Sequence, residues 1–72
     1  MLNSTGPALI RYETPEFLVL RPGSWVLCAV SGERIDLEDL KYWSAEFQEA
    51  YRGAEEASAA MLAGGAAKLK KG

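Results

Sequence analysis

Apolar and polar positions divide this chain into three short hydrophobic runs and a longer stretch rich in Ala, Glu and Gln. Leu9 to Tyr12 is closed by Thr14 and Pro15, Phe17 to Leu20 by Pro22 and Gly23, and Trp25 to Val30 by Ser31 and Gly32. Short runs rich in β-branched and aromatic side chains, bounded by Pro and Gly, read as strands. Connections this short make sequential strands antiparallel neighbours. The pattern therefore predicts a three-stranded antiparallel meander, with Ser31 to Glu33 turning into a short extended piece at Arg34 and Ile35. Pro22 and Gly23 suit the central positions of a type II turn, where Gly takes positive φ.

Alternation within the strands leaves one question open. Phe17 and Val19 share one face of the middle strand and Leu18 and Leu20 the other. Either both faces are covered or one is an apolar patch awaiting a partner. Trp25 and Leu27 likewise oppose Val26 and Cys28, which makes Cys28 a small buried hydrophobe.

Helical signals take over from Asp36. Asp36 as N-cap, with Leu37 and Leu40 three apart, predicts a helical turn. Ser44 is then a good N-cap for a C-terminal amphipathic helix, with Glu46 in its first turn and an apolar stripe through Phe47, Tyr51, Ala54, Ala57 and Met61. Gly53 interrupts that stripe and kinks or divides the helix, and Gly64 and Gly65 end it. The fold class is thus α+β: a small three-stranded antiparallel meander, a short helical turn and a C-terminal amphipathic helix. Residues 1–7 read as a flexible lead-in, 8–63 as a single small domain, and 64–72 as a disordered basic tail.

Composition narrows the chemistry. The 72 residues include one Cys and no His, and 49% are hydrophobic. A domain this small has a limited core and is marginally stable, and a single Cys offers no internal disulfide as a staple. The start has neither the basic nor the apolar stretch of a signal peptide, and no apolar run is long enough to span a membrane, so a reduced, cytoplasmic setting is expected. Residues 1–63 hold all ten acids against Arg11, Arg21, Arg34, Lys41 and Arg52, a balance of minus five, while Lys68, Lys70 and Lys71 make the end basic. An acidic body argues against phosphate-backbone binding, which needs clustered Lys and Arg.

Two resemblances bear on identity. Arg11 and Tyr12, the Leu-x-Pro-Gly of residues 20–23, and the block from Cys28 through Trp43 and Ser44 to Tyr51 resemble a bacterial family of short proteins, domain of unknown function 2093. The likeness runs from about Ile10 to Tyr51, departs from the family's common Thr at Ser31, and implies no established activity. Separately, the turn Cys28-x-x-Ser31-Gly32 and the aromatic and Ser start of the next helix resemble a treble-clef zinc finger stripped of its ligands. That outline has Cys28, Ser31, Trp43 and Phe47 at its four ligand places, and this set cannot hold zinc. It implies no metal or other cofactor, with Trp43 and Phe47 filling the metal's space beside Cys28 and Ser31 as a structural core.

Catalysis is not expected, since His is absent, no Ser or Cys has an activating partner and there is no Gly-rich phosphate loop. The residues instead point to a protein-interaction module, monomeric or weakly dimeric, binding an unidentified protein through Tyr12, Leu18, Trp25 and Tyr42. The alternative is a nucleic-acid- or ribosome-associated accessory protein using the basic tail and stacked aromatics.

Overall fold

The computed structural model describes residues 6–69. Its architecture is α+β, with antiparallel strand pairs and a helix near the C-terminal end. The strands are β1 (Leu9–Tyr12), β2 (Phe17–Arg21), β3 (Trp25–Leu27), β4 (Arg34–Asp36), β5 (Tyr42–Ser44) and β6 (Glu49–Tyr51). A 3-10 turn at Leu37–Asp39 follows β4, and the helices are α1 (Ala54–Ala63) and α2 (Ala66–Leu69).

The expected meander is replaced by three separate two-stranded sheets, β1 with β2, β3 with β4 and β5 with β6. The reason lies between β2 and β3. Gly23 is not among the positive-φ residues, so Pro22 and Gly23 do not form the expected type II turn. The chain instead swings past the segment before β1: Ser24 N–H donates to Gly6 O at 2.9 Å and Ala8 N–H to Trp25 O at 2.8 Å, with a parallel bridge from Pro7 to Trp25. A Cβ at Gly23 would lie 2.4 Å from Ala8 N and from Pro7 C, so only glycine permits this crossing. β3 then pairs forward with β4 in a hairpin closed by Cys28 N–H to Glu33 O at 2.8 Å.

The helix expected after an N-cap at Ser44 begins nine residues later, after an N-cap at Gly53. Residues 42–51 form a hairpin, with Trp43 opposite Ala50 and Tyr42 opposite Tyr51. Ser44 does use its hydroxyl locally, accepting the Phe47 N–H at 3.0 Å, but the bond closes a turn. Gly53, read as an interruption, is the extended N-cap of α1, and Glu55 and Glu56 follow it in the first turn, where the helix dipole favours acids. Asp36 makes no side-chain cap bond and accepts Arg34 Nε–H at 3.4 Å instead.

Two clusters form the interior. Ile10, Tyr12, Val26, Cys28, Ile35, Leu40 and Ala50 bring the three hairpins together, with Phe17, Leu37 and Trp43 packed against them. Tyr51, Ala60 and Ala66 form a second, smaller cluster under the helices. Of residues 64–69, assigned by composition to the tail, Ala66 belongs to it. Gly64 adopts left-handed φ 86° and closes α1, and Gly65 N–H reaches Ala60 O at 2.7 Å. Ala66 is buried, and its N–H donates to both carboxylate oxygens of Glu49 at 3.0 and 3.1 Å. Residues 1–5 of the lead-in and 70–72 of the tail lie outside the described residues.

The crossing at Gly23 yields a direct test. Gly23→Ala forces the backbone of Pro7 and Ala8 to move and should cost about 1–3 kcal/mol, the range for overpacking. Gly6→Ala, with nothing within 4 Å of its Cβ position, is the matched control and should be near neutral. Equal urea midpoints for the two variants would show that the crossing is not tight.

Candidate functional site

The outward face of the first hairpin is a surface that the fold leaves uncovered, as it also leaves Met61 and Leu62 on α1. Residues directly opposite one another in an antiparallel pair share a face. Ile10 with Val19 and Tyr12 with Phe17 therefore point inward, while Arg11 with Leu18 points outward. A register shift after Val19 leaves Leu20 as the extra residue and sets Arg21 opposite Leu9 on the outward face. Leu9, Leu18 and Leu20 are 50%, 49% and 59% exposed, and Val19, though inward-pointing, is 49% exposed.

β1 is shielded along its outer edge and β2 is not. Gln48, at left-handed φ 54°, projects its carboxamide onto Tyr12: Tyr12 N–H donates to Gln48 Oε1 at 3.0 Å, and Gln48 Nε2 donates to Tyr12 O at 2.6 Å. The amide thus substitutes for a neighbouring strand. Because the backbone groups of Tyr12 face Gln48, Tyr12 and Phe17 are a non-hydrogen-bonded pair of the β1–β2 ladder. Alternation then makes Arg11 with Leu18 the hydrogen-bonded pair and turns the N–H and C=O of Phe17 and Val19 to the outside. Among the described residues no strand pairs with that edge.

The four residues expected to bind a partner are dispersed. Leu18 lies on the exposed face and Tyr42 is exposed. Trp25 is half-buried with the Arg34 guanidinium 5.0 Å from its ring centre. Tyr12 is a correction: its ring is buried in the main cluster, because β1 turns Ile10 and Tyr12 inward together. Val19 and Leu20, expected on the two faces of a strand of which one could be an apolar patch, join Leu18 instead, and so does Leu9, for which the alternation of β1 was the signal.

The expected structural core is also redistributed. Cys28 is buried, and its Sγ accepts N–H groups from Ser31 at 3.4 Å and Arg52 at 3.3 Å. Burial pushes this thiol up, but hydrogen bonding by the Ser31 side chain and by the backbone of Ser31, Arg52 and Val30 outweighs it and holds the thiol below its ordinary value. Ser31 itself is exposed, because it lies on the turn and its hydroxyl accepts the Glu33 N–H at 3.2 Å. Trp43 is half-buried, meets Phe17 edge-on at 5.1 Å and donates its indole N–H to Glu13 O at 2.8 Å. Phe47 is half-buried and faces Gly65. With residues 43–47 in a hairpin, the segment meeting Cys28 just before a helix is Arg52, so the anticipated ligand-place alignment does not hold.

Three of the arginines are engaged with acids. Arg11 pairs with Glu13 at 3.2 Å, Arg34 with Asp36 at 3.4 Å and Arg52 with Glu33 at 2.8 Å. Arg34 and Arg52 line an open cleft of about 350 Å³ with Ile35, Asp36 and Asp39, where both signs of charge alternate. Among the described residues no group of three or more His, Cys, Asp or Glu is placed to hold a metal ion. Likewise, no helix there is long and apolar enough to cross a membrane.

Comparison with known proteins gives one match. The bacterial family DUF2093, described as an uncharacterized protein conserved in bacteria, matches residues 19–60, more than half of the chain. The chain belongs to this family. No curated protein and no solved structure matches it.

The buried tyrosines produce a pH dependence of stability. Burial raises the phenol of Tyr12, and burial together with the Glu49 carboxylate, which accepts its O–H at 2.7 Å, raises Tyr51 far above the usual value of 10.0. The Tyr51 phenol keeps its proton in the folded state at pH values where the unfolded chain has lost it. Its stabilisation is complete below the unfolded value and falls as pH rises above it, by about 1.4 kcal/mol per pH unit, and the Tyr12 contribution has the same sign. Denaturation at successive alkaline pH values should show this slope, and Tyr51→Phe should make it shallower. An unchanged slope would mean that Tyr51 ionises freely in place.

Proposed function

We propose that this chain is a non-catalytic protein-interaction module and that its contact surface is the first hairpin. The observation that carries the reading is the coincidence on β2 of exposed Leu18, Val19 and Leu20 with an edge whose backbone groups have no strand beside them. Exposed apolar edge strands invite pairing with other chains, and folds usually blunt them with charge, Pro or a cover. No charge or Pro falls between Leu18 and Leu20, and the irregularity at Leu20 lies beyond the outward-turned groups of Phe17 and Val19. An adding strand gains affinity from main-chain bonds and selectivity from side chains on either face.

A nucleic-acid role fits less well, because Arg11, Arg34 and Arg52 each have an acid beside them and the body is acidic overall. Catalysis is not part of the proposal: the one thiol is shielded, and the open cleft carries opposed charges without a nucleophile and base in contact. A lone reduced cysteine suits the cytoplasm.

A photo-crosslinking amino acid at position 18, activated in living cells, tests the surface. It should give discrete protein adducts that disappear when Leu20→Asp is added, while the same probe at the exposed Glu38 of the 3-10 turn gives none of them. Adducts to RNA alone, or protein adducts identical from both positions, would overturn the proposal.

A further inference from the structure

We infer that the occupant of the β2 edge is β2 of a second copy of this chain, paired antiparallel about a two-fold axis at Leu18 to give a four-stranded sheet. This rests on the reading of β2 as the contact surface and adds the identity of the partner.

Three observations lead to it. The backbone groups turned outward are those of Phe17 and Val19, two residues apart, with Leu18 between them. Antiparallel pairing of a strand with its own copy requires a two-fold axis perpendicular to the sheet, passing between two identical residues. An axis at Leu18 sets Phe17 of each copy opposite the partner's Val19, so both edge residues on each copy find N–H and C=O partners. The two Leu18 side chains then meet as a non-hydrogen-bonded pair, the closer type.

Charge complementarity is the second. Among the described residues, Glu16 and Arg21, which bracket the strand, have no ion-pair partner. Antiparallel pairing about Leu18 places Glu16 opposite the partner's Leu20, one position from the partner's Arg21. The register shift at Leu20 has already turned Arg21 to the outward face, the face of Glu16. Opposite charges therefore adjoin at both ends of the joint, whereas a parallel arrangement sets acid beside acid and base beside base.

Room for the second copy is the third observation. Both copies lie on the same side of such a sheet, so each body must stay clear of the edge. Val19 points inward yet remains 49% exposed, which shows that the body does not overhang β2 there. A five-residue edge is a small contact beside the ~1,600 Å² of a standard stable interface. The dimer is accordingly weak, with Kd between micromolar and millimolar.

Sedimentation equilibrium of the full chain from micromolar to millimolar concentration tests this, with unfolding curves confirming that each variant is folded. The parent should associate reversibly. L18K and L18E, which set like charges against each other at the axis, should each remain monomeric, and their equimolar mixture should associate again. Amide exchange at Phe17 and Val19 should slow as the parent associates. A parent that stays monomeric at millimolar concentration overturns self-pairing. So does association that L18K and L18E retain, or that leaves exchange at Phe17 and Val19 unchanged. If self-pairing fails while the position-18 probe still captures another protein in an L20D-sensitive way, the interaction reading survives its extension; if both fail, that reading falls too.

Discussion

The carboxamide of Gln48 holds the first hairpin to the third by offering Tyr12 the donor and acceptor that a neighbouring strand would supply. A two-stranded hairpin alone is marginal in water, and this protein consists of three of them. Each must borrow its remaining hydrogen bonds and its apolar cover from the others. The pairing register of β1 with β2 turns the backbone groups of Tyr12 away from β2, and by the same alternation those of Phe17 and Val19. Gln48, 36 residues away in sequence, satisfies the first set and leaves the second open.

The same economy runs through the interior. Among the described residues, no buried side-chain nitrogen or oxygen lacks a hydrogen-bond partner, as expected where an unpaired buried group costs more than a bond returns. Glu49 serves two segments, accepting the Tyr51 hydroxyl and the Ala66 N–H, so the chain after α1 is seated by a strand residue. The apolar contribution of that seat is small, since Ala60 and Ala66 are its buried helical residues. Polar anchoring and glycine-permitted closeness compensate for what alanine cannot bury.

The parts legible in the sequence were those set by local chemistry. The runs at Leu9, Phe17 and Trp25 became strands, the extended piece at Arg34 and Ile35 became β4, and Leu37 and Leu40 turned toward the core. Membership of the family was legible in the block beginning at Cys28. What misled was spacing that serves two structures equally. Phe47 and Tyr51 stand four apart, as on a helix, yet here Phe47 lies in the turn between β5 and β6 and Tyr51 ends β6. Gly23 looked like turn chemistry, whereas its lack of a side chain is needed by the backbone of Pro7 and Ala8, which approaches from before β1. For the contact surface, Leu18 was visible because it interrupts no polar pattern, while Tyr12 was misplaced because an aromatic residue in a short strand carries no mark of which face it will take.

Cys28 also makes the protein its own clock. Its sulfur is almost wholly enclosed and is gripped by amides from its own turn and from the approach to α1. A thiol reagent can reach it only when those two segments part. With no second cysteine in the chain, the rate of its modification reports a single event, the opening between the β3–β4 turn and the helical end. Where closing outpaces labelling, that rate measures the free energy of the opening, so the chain carries an intrinsic gauge of how firmly its C-terminal half is latched.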